Sequence, residues 1–124
     1  MPIAKLSILS AIVLVCLSRI AAAQVVRVDG NLLLSWCNTN INGERLGDWA
    51  TKGGSCIGYL TSIVNIQMSG AAVGGRRACV PPNADMNQIV DVFRGYMRDH
   101  PEKRHLMAAN LAAEAISGAF PCRP

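Results

Sequence analysis

Cys37, Cys56, Cys79 and Cys122 stand 19, 23 and 43 residues apart, behind an apolar N-terminal leader. An even set of cysteines after a secretory leader points to disulfides formed in an oxidising compartment. Zinc is the competing use of such a set, but no C-x-x-C pair occurs in these gaps. Two covalent staples in so short a chain restrict which segments can be neighbours, and no other feature of the sequence constrains the fold as strongly.

The leader itself is legible. Met1–Lys5 carries one positive charge, Leu6–Leu17 is an uncharged apolar run, and Arg19 precedes Ala21-Ala22-Ala23. An apolar core of about a dozen residues suits a signal peptide and is short for a bilayer span. Cleavage is expected after Ala23, which sets residues 1–23 apart and leaves 24–124 as a single domain. Cys16 departs with the leader, and Val15 before it is too large for a lipobox. The expected destination is an oxidising compartment outside the cytoplasm, with nothing left in the membrane.

Lys and Arg number 12 against 8 Asp and Glu, a formal charge of +4, which falls to +2 once Lys5 and Arg19 are removed. Arg76-Arg77 and Lys103-Arg104 are isolated pairs with no aromatic residues between them, so nothing here resembles a nucleic-acid footprint.

Four segments read as helices, and none shows strand alternation. Asp29 is placed to cap the first, whose apolar residues lie within 31–37. Residues 38–54, rich in Asn and Gly, read as a long loop. Ser55 opens the second, with a stripe of Ile57, Leu60, Val64 and Met68. Residues 69–83 form a Gly- and Pro-rich connection. Asp85 with Gln88 resembles a capping box ahead of Met86, Ile89, Val90, Phe93 and Met97. Pro101 is suited to the first position of a fourth helix, with Glu102 in its first turn. Leu106, Ala109, Ala113, Ile116 and Phe120 would line one face of that helix, and Pro121 would stop it. The expected fold is all-α, a small bundle of about four helices stapled by two disulfides. Of the three pairings that four cysteines allow, antiparallel neighbouring helices favour Cys37–Cys56 and Cys79–Cys122. The long 38–54 loop leaves other dockings of the first helix open.

Both histidines fall in RDHPEKRH, residues 98–105. His100 and His105 are five apart, whereas helical metal ligands sit three or four apart, so no metal or other cofactor is expected. A Cys–His nucleophile requires a free thiol, and the disulfides consume all four cysteines. No G-x-S-x-G elbow or Gly-rich phosphate loop is present. Asp99 and Glu102 near a helix start read as capping groups rather than as a catalytic pair. The residues argue against an enzyme.

Cys56-Ile57-Gly58-Tyr59, Cys79-Val80-Pro81, His100-Pro101-Glu102 with His105, and Phe120-Pro121-Cys122 form an ordered set. In this order and spacing the chain resembles the Rap/Tai family of immunity proteins associated with type VI secretion, from about Gly30 to Cys122. That resemblance implies a helical periplasmic protein that binds and inactivates a peptidoglycan-cleaving effector, typically a cysteine amidase. It also implies a homodimer that inserts a loop or helix edge into the enzyme's groove. Two departures stand out: the 69–78 segment is the least typical part, and Ser62 occupies a position where glycine is expected.

An inhibitor of this kind needs a rigid scaffold and an exposed edge, not a reactive group. Three edges are candidates. The first is the corner carrying Arg98, Asp99, His100, Glu102, Lys103 and Arg104. The second is the basic loop Gly74–Arg77 with Arg76 and Arg77, and the third is Asn42–Trp49, where Trp49 is of a type enriched in binding hot spots. A competing reading is a small helical periplasmic stress chaperone that opens in acid, which two disulfides would oppose.

Overall fold

The computed structural model describes residues 26–39, 47 and 49–124. The expected leader, its cleavage site and most of the Asn42–Trp49 edge lie outside the described residues.

Asp29 caps the first helix, α1 (Gly30–Cys37): its Oδ1 accepts from the Leu32 N–H at 2.9 Å. The two preceding orphan donors of that helix find partners far along the chain. Gly30 N–H donates to the Leu106 carbonyl at 3.0 Å and Asn31 N–H to the Arg104 carbonyl at 2.9 Å. A helix start buried against protein requires such acceptors. Helix α2 (Gly54–Met68) follows a π-helical turn, Trp49–Gly53. Helices α3 (Met86–Asp99) and α4 (Ala108–Ala119) complete the set. Asp85 Oδ1 accepts from the Gln88 N–H at 2.9 Å, as the capping pattern predicts.

The all-α expectation holds: the described residues contain four α-helices and only two isolated β-bridges. Both disulfides pair as favoured, Cys37 with Cys56 and Cys79 with Cys122. The first is buried in the core, whereas Cys79 and Cys122 are exposed. Leu33, Leu60, Ile89, Phe93, Met97, Leu111 and Ile116 form a continuous core drawn from all four helices. Each such side chain contributes roughly 1.5–3 kcal/mol through burial. Helix α4 runs through the middle, and Ala108, Ala112, Ala113 and Ala115 are all buried along it. Their small side chains let the other helices pack close to its backbone.

Four expectations need correction. Residues 49–53 are helical rather than loop, so α2 grows out of the π-turn and Ser55 does not cap it; its Oγ instead donates to the Thr51 carbonyl at 2.7 Å. On α2, Leu60 and Val64 are buried as expected, but Ile57 and Met68 are 45% and 54% exposed. The buried face is Cys56, Leu60, Ile63, Val64 and Gln67. The helix is turned this way because Cys56 is bonded to Cys37 and Gln67 is drawn inward by two carbonyls. The fourth helix begins at Ala108, not Pro101. Pro101–Lys103 makes a single 3-10 turn, and Leu106 is exposed. Finally, of the face expected for that helix only Ala113 and Ile116 are buried; Ala109 and Phe120 are half-buried, and Ala108, Leu111, Ala112 and Ala115 complete the buried side. The late start has a cause in the backbone: the Arg104 and Leu106 carbonyls are engaged by α1, and Met107 pairs with Asp29 in an extended bridge.

Candidate functional site

The charged corner after α3 is built by that backbone exchange. His100 ends α3, Pro101–Lys103 reverses the chain, and the bridge to Asp29 holds the exit. Lys103 is thereby pointed at α4: its Nζ donates to the Tyr96 hydroxyl at 2.9 Å and to Glu114 Oε1 at 3.1 Å. It also stands 5.4 Å from the Tyr96 ring centre. Those two hydrogen bonds raise the Lys103 pKa above its ordinary value. The same bond from Lys103, followed by the nearby Tyr96 and Arg76, holds the Glu114 carboxyl below the usual range.

The second basic edge arrives at the same carboxylate. Val73 and Arg76 exchange both backbone hydrogen bonds at 3.0 Å across Gly74-Gly75, whose φ angles are 56° and 76°. Two successive positive φ values are the requirement of a tight hairpin turn, and glycine meets it without strain. This short arm is fastened to the bundle from beneath. Gln67 Nε2 donates to the Arg76 carbonyl at 3.2 Å and to the Ala113 carbonyl at 3.3 Å. Arg76 then reaches Glu114 Oε1 at 3.4 Å. Glu114 thus joins two edges that are separate in sequence into one polar surface of hairpin, corner and α4.

The remaining candidates occupy distinct positions. His100 packs against Tyr96 with the rings tilted by 42° and their centres 4.4 Å apart, and its Nδ1 lies 3.4 Å from Glu102 Oε1. The Glu102 pKa is lowered, first by a hydrogen bond from its own backbone N–H and then by His100. Arg98 and Asp99 pair with each other at 3.5 Å on the exposed rim. Arg104 Nε donates to the Met97 carbonyl at 2.8 Å, which ties the corner to the end of α3. Arg77 is exposed beside Gly70 and makes no ion pair among the described residues. Trp49 opens the π-turn, away from the corner in the chain.

Tyr96, Glu114 and Gln67 are the members of this surface that inspection of the sequence misses. Gln67 sits at helical spacing from Leu60, Ile63 and Val64. A glutamine at core spacing in an apolar stripe is the one local signal that could have found the hairpin's anchor. Among the described residues no group of three or more His, Cys, Asp or Glu is placed to hold a metal, and no helix is long and apolar enough to cross a membrane.

The fold is that of a small helical domain stapled by two disulfides, with charged residues gathered at one corner. The family profile of Rap1a immunity proteins matches residues 29–122, well over half of the chain. The chain belongs to that family, and binding of a partner effector is the role that membership implies. No curated protein and no solved structure matches it.

Proposed function

We propose that this protein is a periplasmic immunity protein that occludes a peptidoglycan-cleaving, amidase-type effector of type VI secretion and so protects the producing cell. The observation that carries the reading is the family match from Asp29 to Cys122. The geometry agrees with it. Lys103, Arg76 and Glu114 restrain one another, and a surface ordered before binding loses less conformational freedom when it docks. The two disulfides suit an extracytoplasmic location, and the protein acts as an inhibitor without chemistry of its own. A homodimer is supported by α2, a helix without a charged residue that leaves Ile57 and Met68 exposed on the same side.

The test is a titration of the oxidised protein into the effector encoded beside its gene, following cleavage of peptidoglycan cross-bridges. Inhibition complete at a fixed stoichiometry is expected. Unchanged cleavage at large excess would reject the reading, and light scattering in the same buffer decides the dimer.

A further inference from the structure

We propose that Arg94, Arg98 and Arg104 form a carboxylate-binding site that receives an Asp or Glu side chain of the protein partner; the partner's nature rests on the immunity reading above. These three side chains, with Leu34 and Asn38, line one cavity of about 320 Å³ between the ends of α1 and α3.

The fold assembles the three cations for a traceable reason. Arg94 and Arg98 are four residues apart on α3, so they project from the same side of the helix. Arg104 is carried back to them by the 3-10 turn and fixed by the bond from its Nε to the Met97 carbonyl. Arg94 is fixed in the same manner, its Nε donating to Asn38 Oδ1 at 3.1 Å. A guanidinium held through Nε can offer its terminal nitrogens to another acceptor, a pair of donors that matches a carboxylate bidentately; at Arg94 one of them, Nη1, already faces Asp91 Oδ1 at 3.6 Å.

Local charge leaves room for such an anion. Asp91 lies 3.6 Å from Arg94 and Asp99 lies 3.5 Å from Arg98, but both carboxylates are on the rim, 76% and 67% exposed. Exposed pairs of this kind are weak and readily exchanged. Two rim acids against three lining cations leave an excess of positive charge at the cavity. Cations also suit the C-terminal end of a helix, which accounts for Arg98 and for the anchoring of Arg104. Arg94, a turn further back on α3, reaches across to Asn38 at the C-terminal cap of α1, so the ends of two helices draw the three cations to one place. A partner carboxylate entering between the three completes the charge balance, and the Leu34 wall gives its methylene groups an apolar contact.

The test uses side-chain NMR of the arginine Nε–H groups in the oxidised protein. The probes are acetyl-Gly-Glu-Glu-Gly-amide, the same peptide with Gln for Glu, and inorganic phosphate. The glutamate peptide is expected to shift the Arg94, Arg98 and Arg104 signals together, and the glutamine peptide to leave them in place. The double variant R94Q/R98Q, whose side chains are both exposed, is expected to lose that response while keeping its helical circular dichroism. It should also inhibit the effector about tenfold less well or worse, whereas K52Q inhibits normally. Equal shifts from the glutamine peptide or from phosphate, or undiminished inhibition by R94Q/R98Q, would overturn the site. Failure of the unaltered protein to inhibit would instead overturn the immunity reading, and the peptide titration then decides the site alone.

Discussion

Gly30 and Arg104 are packed backbone to backbone: a Cβ placed on Gly30 would stand 2.8 Å from the Arg104 carbonyl oxygen. It would also stand 2.6 Å from Leu111 Cδ1 and 2.7 Å from Met97 Cε. The first residue of α1 is therefore the contact that sets where the charged corner sits. Gly30→Ala is expected to destabilise the fold by about 1–3 kcal/mol, because a side-chain end can yield while the carbonyl, engaged by Asn31, cannot. Urea unfolding of the oxidised protein measures this. An unchanged midpoint would mean that the corner has slack.

Glu114 is the shared acceptor of Lys103 and Arg76, and its replacement has a defined pH signature. Its pKa is depressed in the fold, so its contribution is present above the ordinary carboxylate range of about 4.3 and is lost as pH falls through the lower folded value. The Lys103 pKa is raised, so its contribution is present below about 10.4 and is lost as pH rises through the higher folded value. Glu114→Gln should therefore be less stable than the parent by a steady margin between about pH 5 and pH 10, with the margin closing in acid and in strong alkali. Denaturant midpoints taken in acid, at neutrality and near pH 11 check it. A margin that persists undiminished in acid would show that the carboxylate's charge is not what matters.

The two disulfides differ in access, and reduction should follow that order. Cys79–Cys122 is exposed, whereas Cys37 and Cys56 are 7% and 2% accessible within the core. Thiol–disulfide exchange requires approach to the sulfur, so limited reduction followed by alkylation should label Cys79 and Cys122 first. Replacing that exposed pair by serine is expected to cost about 2–4 kcal/mol through the freer unfolded chain. Peptide mass mapping reads the order, and prior labelling of Cys37 would contradict it.

The hairpin arm supplies a separate test of the surface. Gly75 has φ 76°, and a Cβ placed on it would meet no atom within 4 Å, so Gly75→Ala introduces backbone strain alone. A cost of about 1–2 kcal/mol is expected, with Gly75→Asn milder because asparagine tolerates this region. At Gly74 a Cβ would also stand 2.7 Å from Asn110 Oδ1, so Gly74→Ala should cost more. Thermal melts rank the three, and a harmless Gly74→Ala would show that the arm is not seated on α4.

Acid exposure separates the immunity reading from that of a stress chaperone. Protonating Glu114 loosens one polar surface, but both disulfides and the apolar core are indifferent to pH. The protein should remain compact near pH 3 without binding a hydrophobic dye. Strong dye binding with retained helix would favour the chaperone.

Much of this arrangement was written locally. Asp29, Asp85 and the stripe Ile89, Phe93, Met97 declare their helices through caps and spacing alone. The cysteine pairing followed from antiparallel neighbours. The caps and the stripe concern residues a turn or two apart, for which the chain's own geometry decides, and the disulfides tie the ends of helices that such signals had already placed. The start of α4, the rotation of α2 and the meeting of Arg76 with Lys103 at Glu114 are of another kind. Pro101 and Glu102 suit the first turn of a helix by local rules, and the helix waits until Ala108. The Arg104 and Leu106 carbonyls that would have carried it are taken by the N–H groups of Asn31 and Gly30, more than seventy residues earlier. A backbone acceptor bonds the donor that reaches it with the best geometry, and which donor arrives is a property of the packed bundle, not of the segment that holds the acceptor.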